Sequence, residues 1–202
     1  MNYQTSIVAF DFDHTLIDRD SLLPFLYYHS GIVKASFNLF LLTPAFVQFL
    51  LGISSRQTTK EKILTKFFKG IPLDKLQGIG EKYAEEELDR YIKPEALEKV
   101  KWHKEQGHRC IIVSASLDFY LAPWAQRHGF ETALSSVLAT NEGIVTGLLK
   151  GKNCWGPEKV KSLLHYLGPK ENFLLYAYGD SQGDKELLAL ADYPFYCCFK
   201  TD

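Results

Sequence analysis

Ile7-Val8-Ala9-Phe10-Asp11-Phe12-Asp13-His14-Thr15 sets four apolar residues directly before two carboxylates. Such a run, mostly β-compatible and ending in acids, fits a core strand of a parallel sheet that is buried on both faces. Asp11 and Asp13 then fall at the C-terminal end of the strand, the edge where open α/β sheets bind ligands. A carboxylate there is costly unless something pairs with its charge. An Asp that merely opens a turn would also suit this point, so the pair takes its meaning from the segments downstream.

Those segments repeat the arrangement with complementary groups. Arg109-Cys110-Ile111-Ile112-Val113 reads as a second strand and ends on Ser114-Ala115-Ser116. Phe173 to Tyr178 reads as a third and ends on Gly179-Asp180-Ser181-Gln182-Gly183-Asp184. Gly156-Pro157-Glu158-Lys159-Val160 opens an amphipathic helix with Lys159 in its first turn, where a cation opposes the helix dipole. Three strand ends and one helix start thus offer carboxylates, hydroxyls, backbone N–H groups and an ammonium.

Asp-Phe-Asp-His-Thr, Val-Ser-Ala-Ser, Lys159 and Gly-Asp-Ser-Gln-Gly-Asp, in this order, resemble the four motifs of the haloacid dehalogenase (HAD) superfamily. The long insert after the first motif, with the surroundings of Ser114 and of Asn153-Cys154-Trp155-Gly156, is similar to the phosphoserine-phosphatase-like branch, subfamily IB. The resemblance implies an α/β fold with a Rossmann-like, mostly parallel sheet, helices on both faces and an inserted α-helical cap. It also implies a Mg²⁺-dependent phosphatase that passes through an aspartyl-phosphate. Asp11 would be nucleophile and metal ligand. Asp13 would ligate through its main chain and act as general acid and base, and Asp180 would ligate through its side chain. Ser114, the N–H of Ala115 and Lys159 would hold the phosphate, while Thr15 and Asp184 support the loops. An acid and an arginine that read the substrate would correspond to Asp20 and Arg56. The second motif has Ser-Ala-Ser where phosphoserine phosphatases usually have Ser-Gly-Gly, so another small phosphomonoester fits at least as well as phosphoserine.

The residue types support this chemistry independently. Anionic oxygens repel a nucleophile, so attack on a phosphate ester needs cations at the site. Three aspartates suit Mg²⁺, which takes few carboxylates and keeps several waters. An acid at position 13 matters because an alkoxide leaving group needs a proton. A phosphomutase or phosphotransferase would use the same groups, and a lipid-head-group phosphatase is the version in which an aromatic stretch at 37–51 has a role.

Bulk properties suit an enzyme acting on a small molecule. The chain has 202 residues with 23 Lys and Arg against 24 Asp and Glu, which leaves no basic footprint for nucleic acid. Cys110, Cys154, Cys197 and Cys198 lack zinc-type spacing and read as buried thiols of a reducing compartment. With no secretion signal pattern at the start, a cytoplasmic location is expected. Helices are expected at 21–29, 32–51, 56–69 and 73–91, then strand and helix alternate: helix 94–106, strand 109–114, helix 117–128, strand 134–139, a short piece at 144–146, helix 157–167, strand 173–178, helix 183–191, strand 193–199. That pattern predicts a core of residues 1–18 and 93–202 with a helical cap at 19–92. Segment 37–51 is too short and interrupted for a membrane span and is read as a buried or half-buried cap helix, with membrane-surface contact as the alternative.

Overall fold

The computed structural model describes residues 5–197 and residue 199. Its strands are β1 (Thr5–Phe10), β2 (Arg109–Leu117), β3 (Thr132–Ser136), β4 (Leu138–Asn141), β5 (Ile144–Leu149), β6 (Phe173–Gly179) and β7 (Tyr193–Tyr196). Five of them form a parallel sheet in the order β3-β2-β1-β6-β7. Between β1 and β2 lie α1 (Leu22–Ser30), α2 (Ile32–Leu41), α3 (Thr43–Leu50), α4 (Arg56–Phe68), α5 (Leu73–Glu86) and α6 (Pro94–Glu105). The remaining helices are α7 (Asp118–Arg127), α8 (Pro157–Leu167) and α9 (Lys185–Leu190).

The alternation along β1 explains why its run is wholly apolar. Ile7 and Ala9 face a core with Ile111, Val113, Leu163, Leu175 and Leu187, while Val8 and Phe10 face a larger one with Ile112, Leu121, Trp124 and Tyr178. Both faces of the strand are therefore dry. The larger core continues from Phe12 into the helices between β1 and β2 through Phe25, Leu64, Phe68 and Tyr83. The two connections between sheet and insert pair with each other: Ile17 bridges Ile92, Asp18 N–H donates to the Tyr91 carbonyl and Lys93 N–H to that of Leu16.

Several expected elements differ in extent. The stretch 134–139 is not one strand: β3 ends at Ser136, and β4 forms a separate antiparallel hairpin with β5. Its turn holds Glu142 at φ 50° and Gly143 at φ 77°, the two positive values that a tight type I′ hairpin turn requires. The hairpin packs on the insert, where a Cβ at Gly147 would come within 2.3 Å of the Thr65 Cα. The helix expected over 73–91 ends at Glu86, and a short 3₁₀ turn covers Leu88–Tyr91. β7 stops at Tyr196, short of the expected 199. Cys110 and Cys154 are buried as expected, Cys197 is exposed, and Cys198 lies outside the described residues.

The largest departure is at 32–51. One buried or half-buried helix is expected there, but the chain breaks at Leu42 into α2 and α3, bent by 50°, and Phe37, Phe40, Val47 and Leu50 face solvent. Pro44 at the start of α3 has no N–H to continue the helix. No single helix among the described residues is long and apolar enough to cross a membrane.

His103 is buried beside the larger core, where Nδ1 lies 2.9 Å from His108 Nδ1 and Nε2 2.9 Å from the Tyr178 hydroxyl. Burial, with the neighbouring His108 and Lys99, pulls its pKa down to about 4. Between the free value of 6.5 and this one the unfolded chain binds the extra proton, so stability is full above the window and is lost as pH falls through it. Each tenfold difference in proton affinity is worth about 1.4 kcal/mol, so urea melts are expected to show a loss of about 3 kcal/mol from pH 7 to pH 4 attributable to this ring. The profile of His103→Gln should be flatter, and identical slopes would refute the assignment.

Candidate active site

β1 delivers Asp11 with 6% exposure, and its backbone N–H still donates to the Tyr178 carbonyl at 2.9 Å. The next turn, Phe12–Leu16, is irregular, with Asp13 extended and His14 at φ 59°. This irregularity sends the Asp11 and Asp13 carboxylates into different surroundings.

Asp11 Oδ1 accepts from Lys159 Nζ at 2.7 Å, and the same ammonium donates to Asp184 Oδ1 at 2.5 Å. Lys159 reaches them from the first turn of α8 with 2% exposure. Burial alone would lower its pKa, but Asp11 and Asp184 raise it, so it stays charged. Burial pushes Asp11 up to about 6 despite the opposing pull of Lys159. Asp184 Oδ2 accepts from the Asp180 N–H, the Ser181 N–H and the Ser181 hydroxyl, closing the loop after β6 as a capping box. Asp180, by contrast, accepts one long bond, 3.3 Å from Thr15 Oγ1. Carboxylate oxygens of Asp11, Asp180 and Asp184 lie within 4.8 Å of one another. Three carboxylates face one ammonium, and Asp180 is the least committed of them. This all-oxygen set, carrying excess negative charge, fits a hard divalent cation.

Asp13 belongs to a second network. Its Oδ1 accepts from the Ser21 N–H at 3.0 Å and its Oδ2 from the Ser116 hydroxyl at 2.8 Å. Ser116 is linked in turn to Ser114 and to Ser21, which also meets the Tyr120 hydroxyl. Burial first, then the charge of Asp20, raises Asp13 to about 7.

A cavity of about 230 Å³ opens beside Asp13, lined on its polar side by Asp20, Arg56, Lys60, Ala115 and Asn153. Phe46, Phe49, Ile63 and Trp155 supply its apolar walls. The Arg56 guanidinium stacks over Trp155, 4.7 Å from the ring centroid. Asp20 caps α1 by accepting from the Leu23 N–H at 2.9 Å.

Every residue singled out in the sequence thus lies in one of three adjoining groups. Asp11, Thr15, Lys159, Asp180 and Asp184 form the charged cluster. Asp13 and Ser114 belong to the hydroxyl network, and Asp20, Arg56 and Ala115 to the cavity. Sequence reasoning assigns no role to Ser21, Ser116, Lys60 or Asn153. Lys60 Nζ donates to the Ala115 carbonyl and, at 2.9 Å, to Asn153 Oδ1, and burial lowers its pKa to about 8. Its spacing of four from Arg56, which puts both on one helix face, is the signal that could have found it.

A Rossmann-like sheet with acids after its first and fourth strands in chain order, hydroxyls after its second and a buried lysine between defines a class of hydrolase. The sequence profile of haloacid dehalogenase-like hydrolases matches residues 8–189, and the chain belongs to that family. Protein CicA of Caulobacter vibrioides is 33% identical over 201 residues, covering 99% of this chain and 89% of that protein. A protein of unknown function from Bordetella pertussis Tohama I has the same fold, with TM-score 0.81, 22% identity, and 95% and 89% of the two chains covered. A phospho-aspartyl intermediate analogue of phosphoserine phosphatase superposes with TM-score 0.60 at 20% identity, covering 93% and 84%.

Proposed function

We propose that the chain is a Mg²⁺-dependent phosphomonoesterase in which Asp11 is the nucleophile and Asp13 the general acid and base. The observation that carries this reading is the division of two carboxylates, two residues apart, between opposed environments. Asp11 is clamped to a buried ammonium and stays an anion, whereas Asp13 is set among hydroxyls and neutral N–H groups where a proton is easily held. In the first step an Asp11 carboxylate oxygen bonds to phosphorus, the ester P–O bond breaks, and Asp13 gives its proton to the departing alkoxide. In the second step Asp13 takes a proton from water as the water oxygen attacks phosphorus; the bond to Asp11 breaks and inorganic phosphate leaves.

Asp11, Asp180 and the main chain of Asp13 would hold Mg²⁺, which when bound offsets the phosphoryl charge. Asp184 orients Lys159 and the loop after β6. Ser114 and the Ala115 N–H would receive the phosphoryl oxygens with Lys159, and Asp20 and Arg56 would meet the remainder of the substrate. Residues 1–18 and 93–202 form the catalytic core in this reading, and 19–92 the cap that closes on it. A colorimetric assay tests it: p-nitrophenyl phosphate is expected to be hydrolysed with Mg²⁺ and not after EDTA, with recovery on adding Mg²⁺ back. Turnover indifferent to EDTA would overturn the metal assignment, and a folded protein inert toward all phosphomonoesters would overturn the reading itself.

A further inference from the structure

Much of the large apolar surface of α2 and α3 faces outward. On α2 the small Ala35 and the polar Asn38 pack inward, while Val33 at 85% exposure, Phe37, and Phe40 at 73% face solvent. On α3 it is Ala45 that is buried, and Leu50 is 81% exposed with Val47 and Leu51 beside it. Helices of a globular protein turn their apolar stripe to the core. A contiguous apolar face turned outward marks a surface made to be covered.

Charge indicates what covers it. Residues 21–73 carry Lys34, Lys62, Lys66 and Lys69 against Glu61, and Lys62 donates to Gln48 of α3 at 2.8 Å; Arg56 and Lys60 of the same stretch turn into the cavity. Glu61 is turned inward, accepting from Gln57 Nε2 at 3.1 Å and the Leu149 N–H at 3.2 Å. An apolar face with aromatic side chains and a lysine-rich border matches an anionic lipid surface, where the rings enter the interface and the ammonium groups meet head groups.

The same helix borders the active site. Phe46 and Phe49 of α3 line the cavity that opens on Asp13, next to the solvent-facing Val47 and Leu50. A molecule with its apolar part on Phe46 and Phe49 and its polar end at Asp13 would rest against the helix that carries this face.

We propose that the α2–α3 face docks on an anionic bilayer surface and that the phosphomonoester taken by the site is borne by that membrane. The substrate half rests on the phosphomonoesterase reading above; the docking half does not. The test is co-sedimentation of the full chain with vesicles of phosphatidylcholine alone and of equimolar phosphatidylcholine and phosphatidylglycerol. The combined variant Val33→Ser, Phe40→Ser and Leu50→Ser is run alongside; all three side chains are exposed and lie outside the catalytic groups. Wild type should pellet with the mixed vesicles and be weakened by high salt. The variant should bind at least about tenfold more weakly, as expected when three apolar anchors are lost from an interfacial helix, while hydrolysing p-nitrophenyl phosphate at the wild-type rate. With phosphatidate in the vesicles, phosphate release should exceed that from glycerol phosphate and fall in the variant.

No pelleting with either vesicle, while aryl phosphate turnover is intact, overturns docking and leaves the enzyme reading standing. Pelleting without turnover of any phosphomonoester sinks the enzyme reading alone. Pelleting with turnover, but no preference for the membrane-borne ester, overturns the substrate half. A lipid-free dimer that the variant abolishes, with no vesicle binding, assigns the face to a second copy of the chain and overturns the proposal.

Discussion

Asp11→Asn is expected to abolish phosphomonoester hydrolysis, with a fall in kcat of at least about four orders of magnitude, the scale seen when a covalent nucleophile is removed. An amide oxygen carries no full negative charge, so it cannot form the acyl-phosphate, and no neighbouring group replaces it. Asp184 is held by Ser181 and Lys159, and Asp13 is directed into the hydroxyl network. The fold should survive. Asn has nearly the shape of Asp, and Lys159 keeps Asp184 at 2.5 Å as a partner for its charge. The variant should therefore show near-native circular dichroism and urea melting, together with no acid-stable label from ³²P-phosphomonoester after quenching. Measurable turnover in the folded variant, beyond contaminating phosphatase, would move the nucleophile elsewhere.

Much of this site is legible in the sequence because three of its polar clusters lie just after apolar runs. Ile7–Phe10, Arg109–Val113 and Phe173–Tyr178 declare three buried parallel strands, and the polar residues that follow must gather at one sheet edge. Register then does the rest, since Phe10 pairs with Ile112 on one side and Tyr178 on the other and sets Asp11 between the two following loops. What escapes a reading of the sequence depends on tertiary packing. Nothing local announces that Ser21, eight residues after Asp13, will return to cap it. Asn38 and Phe40 look alike as members of an apolar helix, and only the packed structure shows the polar one inside and the aromatic one outside. The hairpin β4–β5 is hidden because Val137 interrupts nothing in composition, and the positive φ at Glu142 is unusual for that residue.

Lys159→Met carries the second large effect, and it falls on stability and chemistry together. The substitution keeps most of the side-chain volume but leaves Asp11 and Asp184 buried without a cation, and breaking such a pair from one side costs about 3–5 kcal/mol. Burial already holds Asp11 near 6 with Lys159 in place, and the ammonium is the largest influence opposing that rise, so its removal lifts the value further. The sign of the pH dependence follows. A carboxyl whose folded pKa lies above its unfolded value near 3.8 binds more protons in the folded state across that interval, so stability falls as pH rises through it. Urea melts of Lys159→Met should therefore recover much of the lost stability between pH 7 and pH 5, whereas the wild type gains less over the same range. A larger protonated share of Asp11 and the loss of the ammonium that would face the phosphoryl oxygens should together lower activity by at least about a hundredfold, the scale of losing one preorganised electrostatic partner. Its residual rate should rise toward alkaline pH as Asp11 ionises. Equal losses of stability at pH 5 and pH 7 would show that Lys159 contributes packing rather than charge, and would remove it from the anion clamp.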